Sequence, residues 1–184
     1  MRLILFTLLS LSLGGCLIGG RSEAVVFHAF SAPAASTSAR SPKVYLPRAV
    51  LPAGLRRPAV VIERSGIARV EDSQRWLGPL ESALPEAIGR RITASSGLPC
   101  TSQPPAEHHL VALIEVLRMD VVDTRARLRL RIRIENSGGD KLHEAESEWT
   151  SPLGGPAAGQ FVAAQSANLD QVAGSLSAVI LSIK

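Results

Sequence analysis

Few side chains in this 184-residue sequence are of types that do chemistry, and their spacing decides what each could do. Glu107-His108-His109 puts three metal-ligand types in a row. Neighbouring residues on a strand point to opposite faces, so the two imidazoles cannot easily grip one ion; the triplet reads as the polar start of a strand. His28 and His143 stand alone. Cys100 has no second thiol for a redox pair and no signature of a base and orienting group; flanked by Pro99 and Thr101, it reads as an incidental loop thiol. "GGPAAG" (154–159) lacks the lysine and the strand-to-helix setting of a phosphate-cradling loop. No catalytic set, metal site or cofactor site emerges. Two features remain: a row of arginines from Arg125 to Arg133, and a cysteine, Cys16, ending an apolar run.

The arginines alternate with Leu128, Leu130, Ile132 and Ile134, the period of two of a half-buried strand. Arg127, Arg129, Arg131 and Arg133 then share one face, a candidate surface for an anionic partner. Ala145, Ser147 and Trp149 alternate with Glu144, Glu146 and Glu148 in the next run. A two-residue turn at Ser137-Gly138 sets paired positions to sum to 275, so Arg131 meets Glu144, Arg129 meets Glu146 and Arg127 meets Glu148. That ladder consumes three charges; five arginines against three glutamates leave a positive surplus. Trp76 and Trp149 read as core or boundary residues, with Trp76 the candidate for an interface.

Cys16 follows Met1-Arg2, an apolar core of about a dozen residues and Leu13-Gly14-Gly15. The layout is that of a secretory signal, too short to span a membrane. Leu13 to Cys16 resembles a bacterial lipobox, which implies a signal peptide over 1–15 and acylation of Cys16 on its thiol and new amino group. Two or more acyl chains hold a protein firmly to a bilayer. No later segment has the roughly eighteen uninterrupted apolar residues of a spanning helix. Leu17 stands where an aspartate would retain a lipoprotein at the inner membrane, which favours the periplasmic face of the outer membrane. A formal charge of +4 and a pI near 9.7 suit phosphate head groups or acidic proteins better than nucleic acid in that compartment.

The span from Cys16 to Lys184 suits one domain: a lipidated tether over 16–23, then a single domain over 24–184. "AVVFHAF" (24–30) reads as a first strand, about seven residues after the lipid, so the tether reaches at most ~25 Å. "SAPAASTSARSP" is a loop. "KVYLPRAVLP", "PAVVIERSG" and "GIARVE" are short β-rich runs. A helix capped by Ser73 follows, with Trp76, Leu80, Leu84, Ala87 and Ile88 on one face and a bend at Pro85. "SSGLPCTSQPP" is a loop. "HHLVALIEVLRMDVVD" and "RARLRLRIRIEN" are long strands joined through Asp123-Thr124, and "KLHEAESEWT" is their neighbour. "QFVAAQ" reads as an edge strand. A last helix starts at Asn168 with Gln171 completing a capping box; Leu169, Val172, Ala173, Leu176, Val179, Ile180 and Ile183 make its buried stripe. The expected fold is α/β (α+β) in two layers, a mostly antiparallel sheet with two helices on one face.

"LPAGLRRPAVVIERSGIARVEDSQRWLGPLESALPEAI" (51–88) resembles the ABC-transport auxiliary lipoproteins of the PqiC type. The features that carry it are Leu51-Pro52, Leu55 to Pro58, Val60 to Ile62, Arg75-Trp76 and Pro79-Leu80, followed by "ESEWTSP", "LDQVAGSLSAVILSI" and preceded by the lipobox. Leu77-Gly78 departs from the Ala-Glu expected after the tryptophan, and Ala53-Gly54 from a bulkier turn. The resemblance implies a non-catalytic lipoprotein accessory of an MCE-type system that moves phospholipid or other apolar molecules between two membranes. Its partners would be an MCE-domain protein with its ABC or permease components, the membrane through a lipid anchor, and further copies of itself. The alternative from another class is a structural or assembly lipoprotein of the envelope without a transport role, such as a chaperone capturing strands by β-augmentation.

Overall fold

Leu128, Leu130, Ile132 and Ile134 need an apolar cover on one side of their strand, and two helices supply it. The computed structural model describes residues 23–31, 33, 41–103 and 109–183. Eight strands form one sheet: β1 (Val26–His28), β2 (Val44–Tyr45), β3 (Ala59–Arg64), β4 (Ile67–Trp76), β5 (Cys100–Thr101), β6 (Leu110–Val122), β7 (Arg125–Asn136) and β8 (Lys141–Pro152). Helices α1 (Leu80–Ser96) and α2 (Ala158–Ser182) pack on one another and on the same face. The layered fold expected from the sequence is therefore the fold found. No described helix is long and apolar enough to cross a membrane.

The long strands β6, β7 and β8 pair antiparallel and dominate the sheet. The other edge of β6 is shared. Its start takes β2 in parallel, Glu115 bridges Val50, and Val121 meets Arg64 at the end of β3. β4 pairs antiparallel with β3, and β1 lies parallel to β4 at the margin.

The register of the β7–β8 hairpin differs from the expected one by two. Asn136 Oδ1 accepts the N–H groups of Gly138 and Asp140, each at 2.9 Å, and the Asn136 N–H donates to the Asp140 carbonyl. Gly139 takes φ +87°, which glycine adopts without a side-chain clash. The loop thus holds three residues rather than two, and a bulge opposite Ile134/Glu135 leaves Leu142 unpaired. Each change moves the register by one. Arg133 now faces Glu144, Arg131 faces Glu146, and Arg129 faces Glu148. A shift of two preserves the faces, so the apolar row still points at the helices.

Three other expectations are corrected. Ser73 and Trp76 belong to β4, which continues past "GIARVE" because pairing to β3 and β1 outcompetes a weak helical start; α1 begins at Leu80 with no side-chain cap. "QFVAAQ" is helix, not edge strand: Phe161, Val162, Gln165 and Leu169 extend the buried stripe of α2 backwards. Asn168 is consequently mid-helix and fully buried; its Nδ2 donates to the Ala126 carbonyl and to Gln165 Oε1, both at 3.0 Å. Pro85 sits inside one continuous helix. Its missing N–H leaves the Glu81 carbonyl for the Ala49 N–H, 2.8 Å away, which ties the chain after β2 to α1.

Candidate functional site

The face of the sheet away from the helices carries charge in a tightly paired form. Asp120, one of few buried acids, takes two hydrogen bonds from Arg127 at 2.6 and 2.7 Å. Those bonds raise the Arg127 pKa further, outweighing its desolvation. Arg131 bridges Glu115 at 2.7 Å and Glu146 at 2.6 Å, Arg129 meets Glu146 at 2.9 Å, and Arg133 meets Glu135 at 2.8 Å. Arg118 reaches Glu63 at 3.6 Å. Two of the partnerships expected from the sequence, Arg129–Glu146 and Arg127–Glu148, form diagonally across the twisted hairpin rather than straight across. Hydrogen bonds from Arg131 first, then Arg129, hold the Glu146 carboxylate below its usual range, and Lys141 does so for Glu144. The positive surplus inferred from the hairpin alone disappears, because β3, β6 and the end of β7 add Glu63, Glu115, Asp120 and Glu135. That contribution comes from strands distant in sequence, which a single-hairpin reading could not include.

The second surface lies where β1, the end of β4 and the start of α1 meet. Trp76 is only 6% exposed; its ring packs on Phe30 with centroids 5.1 Å apart at 39°. It floors two clefts separated by Leu77-Gly78-Pro79, of about 340 and 400 Å³. His28, Phe30, Glu86 and Arg90 help line the first; Arg56, Arg57 and Glu81 the second. Trp76 thus supports this corner from beneath, while Leu77 is 71% exposed and Phe27 59% exposed. Sequence reasoning gave neither residue a surface role; Phe27 takes the outward position of β1, and Leu77 is the first residue past β4. Trp149 packs half-buried against the core.

The residues weighed for chemistry stay apart. His109 Nδ1 accepts the Lys43 N–H at 3.1 Å and so serves the β2–β6 junction; Glu107 and His108 lie outside the described residues, as does Cys16. His28 Nε2 pairs with Gln74 Oε1 at 2.7 Å. Burial pushes the Cys100 thiol up to about 12 against the lowering hydrogen bond of Thr93, so little thiolate forms at neutral pH. The Gly89 Cα lets Cys100 sit against α1: an added Cβ there would lie 3.3 Å from the Cys100 Cβ. Among the described residues, no three His, Cys, Asp or Glu side chains are grouped to hold a metal.

A family model described as "ABC-type transport auxiliary lipoprotein component" matches residues 28–177, nearly the whole described domain. The chain belongs to this family. Its members are auxiliary components of transport. Solved structures share the fold. An uncharacterised protein superposes with a TM-score of 0.73 at 12% identity, covering 86% of this chain and 99% of its own. XCC0632 from Xanthomonas campestris, of family DUF330, gives 0.71 at 15%, covering 85% and 95%. CT253 from Chlamydia trachomatis gives 0.50 at 10%, covering 78% and 98%. No curated protein matches the sequence. The segment carrying the family pattern, residues 51–88, builds β3, β4 and the first half of α1, with Trp76 beneath the corner.

Proposed function

We propose that this family member is a lipid-anchored, non-catalytic accessory that docks the conduit of an MCE-type transport system at the periplasmic face of the outer membrane. The observation that carries the reading is the family match over 28–177. The lipobox ending at Cys16 supports the anchor, and Leu17 supports the outer membrane. Acylated Cys16 would hold the first strand of the domain within ~35 Å of the bilayer. There it acts by contact: the Arg127–Arg133 face is the surface offered to an MCE-domain protein, its permease components and further copies of the chain.

The test is affinity capture of the tagged, lipidated protein together with the products of its neighbouring genes. Recovery of an MCE-domain protein is expected. Capture of envelope-assembly factors with no MCE-domain protein refutes the transport reading in favour of a structural lipoprotein. Separately, a Cys16→Ser chain that fractionates with membranes as firmly as the parent overturns the anchor.

A further inference from the structure

We propose that the corner formed by β1 and the turn between β4 and α1 is the face this chain lays on its own bilayer. Phe27 and Leu77 enter the boundary between head groups and acyl chains, and Arg56, Arg57 and Arg75 meet lipid phosphates. This rests on the lipid anchor proposed above.

Three observations select the corner. The first is its composition. β1 pairs in parallel with β4, so that Phe27 lies beside Arg75 and His28 beside Trp76. Trp76 is buried towards the helices, so alternation turns Val25, Phe27, Arg75 and Leu77 to the other face. Val25, Phe27 and Leu77 are well exposed there, with Val26 also exposed at the margin. Apolar anchors flanked by arginines are the make-up of a surface that lies in a membrane interface.

The second is charge. Further across the same sheet face, Arg118, Arg127, Arg129, Arg131 and Arg133 all have carboxylate partners, and Arg125 donates to the Thr150 hydroxyl and carbonyl. At the corner, Arg56 donates to the Leu51 carbonyl at 2.9 Å and Arg75 to the Asp72 carbonyl at 3.4 Å. Neither they nor Arg57 form an ion pair with another described residue. Glu81 is the one carboxylate lining the cleft beside Arg56 and Arg57. Phosphates of a lipid surface would complete these guanidinium groups.

The third is reach. β1 is the first described element after Cys16 and starts ten residues on, so its tether reaches at most ~35 Å. Leu142, an exposed apolar residue on β8, lies five strand spacings across the sheet, about 24 Å further away.

The experiment places a reporter at each position in the full lipidated chain: Leu77→Trp, Phe27→Trp and, as control, Leu142→Trp. Each protein is reconstituted in phosphatidylethanolamine–phosphatidylglycerol vesicles with or without brominated acyl chains. The emission added at 77 and 27 is expected to be largely lost to bromine, and that at 142 to survive. If the proteins float with the vesicles but bromine leaves 77 and 27 untouched, this proposal falls and the anchor stands. Equal quenching at 142 also overturns it, since no face is then preferred. Emission at 77 that is shielded from iodide yet indifferent to bromine assigns the corner to a second copy of the chain. Failure of the parent to float removes the anchor, and this inference with it.

Discussion

Arg91 is 5% exposed, and its guanidinium joins three parts of the chain. From α1 it donates to Asp170 Oδ1 at 2.6 Å and the Ser166 carbonyl at 3.3 Å on α2, and to the Ser31 carbonyl of the segment after β1. Ser31 in turn donates its N–H to Ser166 Oγ at 3.2 Å. Replacement by methionine keeps most of the stem's packing and removes every donor. The Asp170 side chain is 67% exposed, so water takes over that partner and the ion pair itself is worth at most ~1 kcal/mol. The larger loss is of the Arg91 donors themselves, to the buried Ser166 carbonyl and to the part-buried Ser31 carbonyl that ties the segment after β1 to the helices, each hydrogen bond from a charged group contributing about 1.5–3 kcal/mol. Arg91→Met is therefore expected to cost roughly 3–5 kcal/mol, a fall of about 6–20 °C in Tm for a domain of this size. Asp170→Ala should cost no more than ~1 kcal/mol. Urea and thermal melts followed by circular dichroism measure both. If Asp170→Ala were as damaging as Arg91→Met, the energy would lie in the ion pair and the argument from buried carbonyls would be wrong. An Arg91→Met protein within ~0.5 kcal/mol of the parent would refute it outright.

Other expectations follow from the same contacts. Glu146 and Glu144 titrate below their ordinary 4.5 in the folded chain, so their contribution is fully present above that value and is lost as pH falls through the lowered pKa; the urea midpoint should drop on acidification below about pH 5, and less steeply in Glu146→Gln. Cys100 should resist a thiol reagent at about pH 8 in the native protein and react promptly once urea exposes it, and fast native labelling would contradict its burial. Leu130→Ala, at a fully buried position, should cost about 2–5 kcal/mol, whereas Leu142→Ala at the exposed bulge should stay within ~0.5 kcal/mol.

The parts of this fold legible in the sequence are those where local pattern and tertiary demand agree. The strict alternation in 125–136 could be nothing but a half-buried strand, and the period through Leu80, Leu84, Ala87 and Ile88 could only be a helix. Error entered where a short-range signal lost to a long-range one. Ser73 is a good helix cap in isolation, but β1 and β3 were waiting to pair with residues 74–76 just after it. Asn168 and Gln171 spell a capping box, yet Asn168 was needed deeper in the helix to meet the Ala126 carbonyl. The charged face was half legible for the same reason: its arginines are consecutive in sequence, while Asp120, Glu115 and Glu63 arrive through pairing on the far edge. Leu77 and Phe27 left no signal because an exposed apolar residue is ordinary until its neighbours in space are known.

The Arg91 contact also bears on how a tethered domain could hold an orientation. A lipid anchor restrains one end of a chain, and a tether of up to ~35 Å by itself permits wide tumbling. The segment leaving the tether, however, is fixed twice: β1 hydrogen-bonds to β4, and Ser31 is held by Arg91 and Ser166. Residues 26–31 are thereby part of the domain rather than of the linker, which brings the end of the free tether to the margin of the sheet. Loosening the second fixing point by Arg91→Met would lengthen the effective tether from the residues before β1 towards those before β2. In the vesicle experiment it should then weaken bromine quenching at Leu77→Trp while flotation is unchanged. Undiminished quenching in that double variant would show that β1 pairing alone sets the orientation.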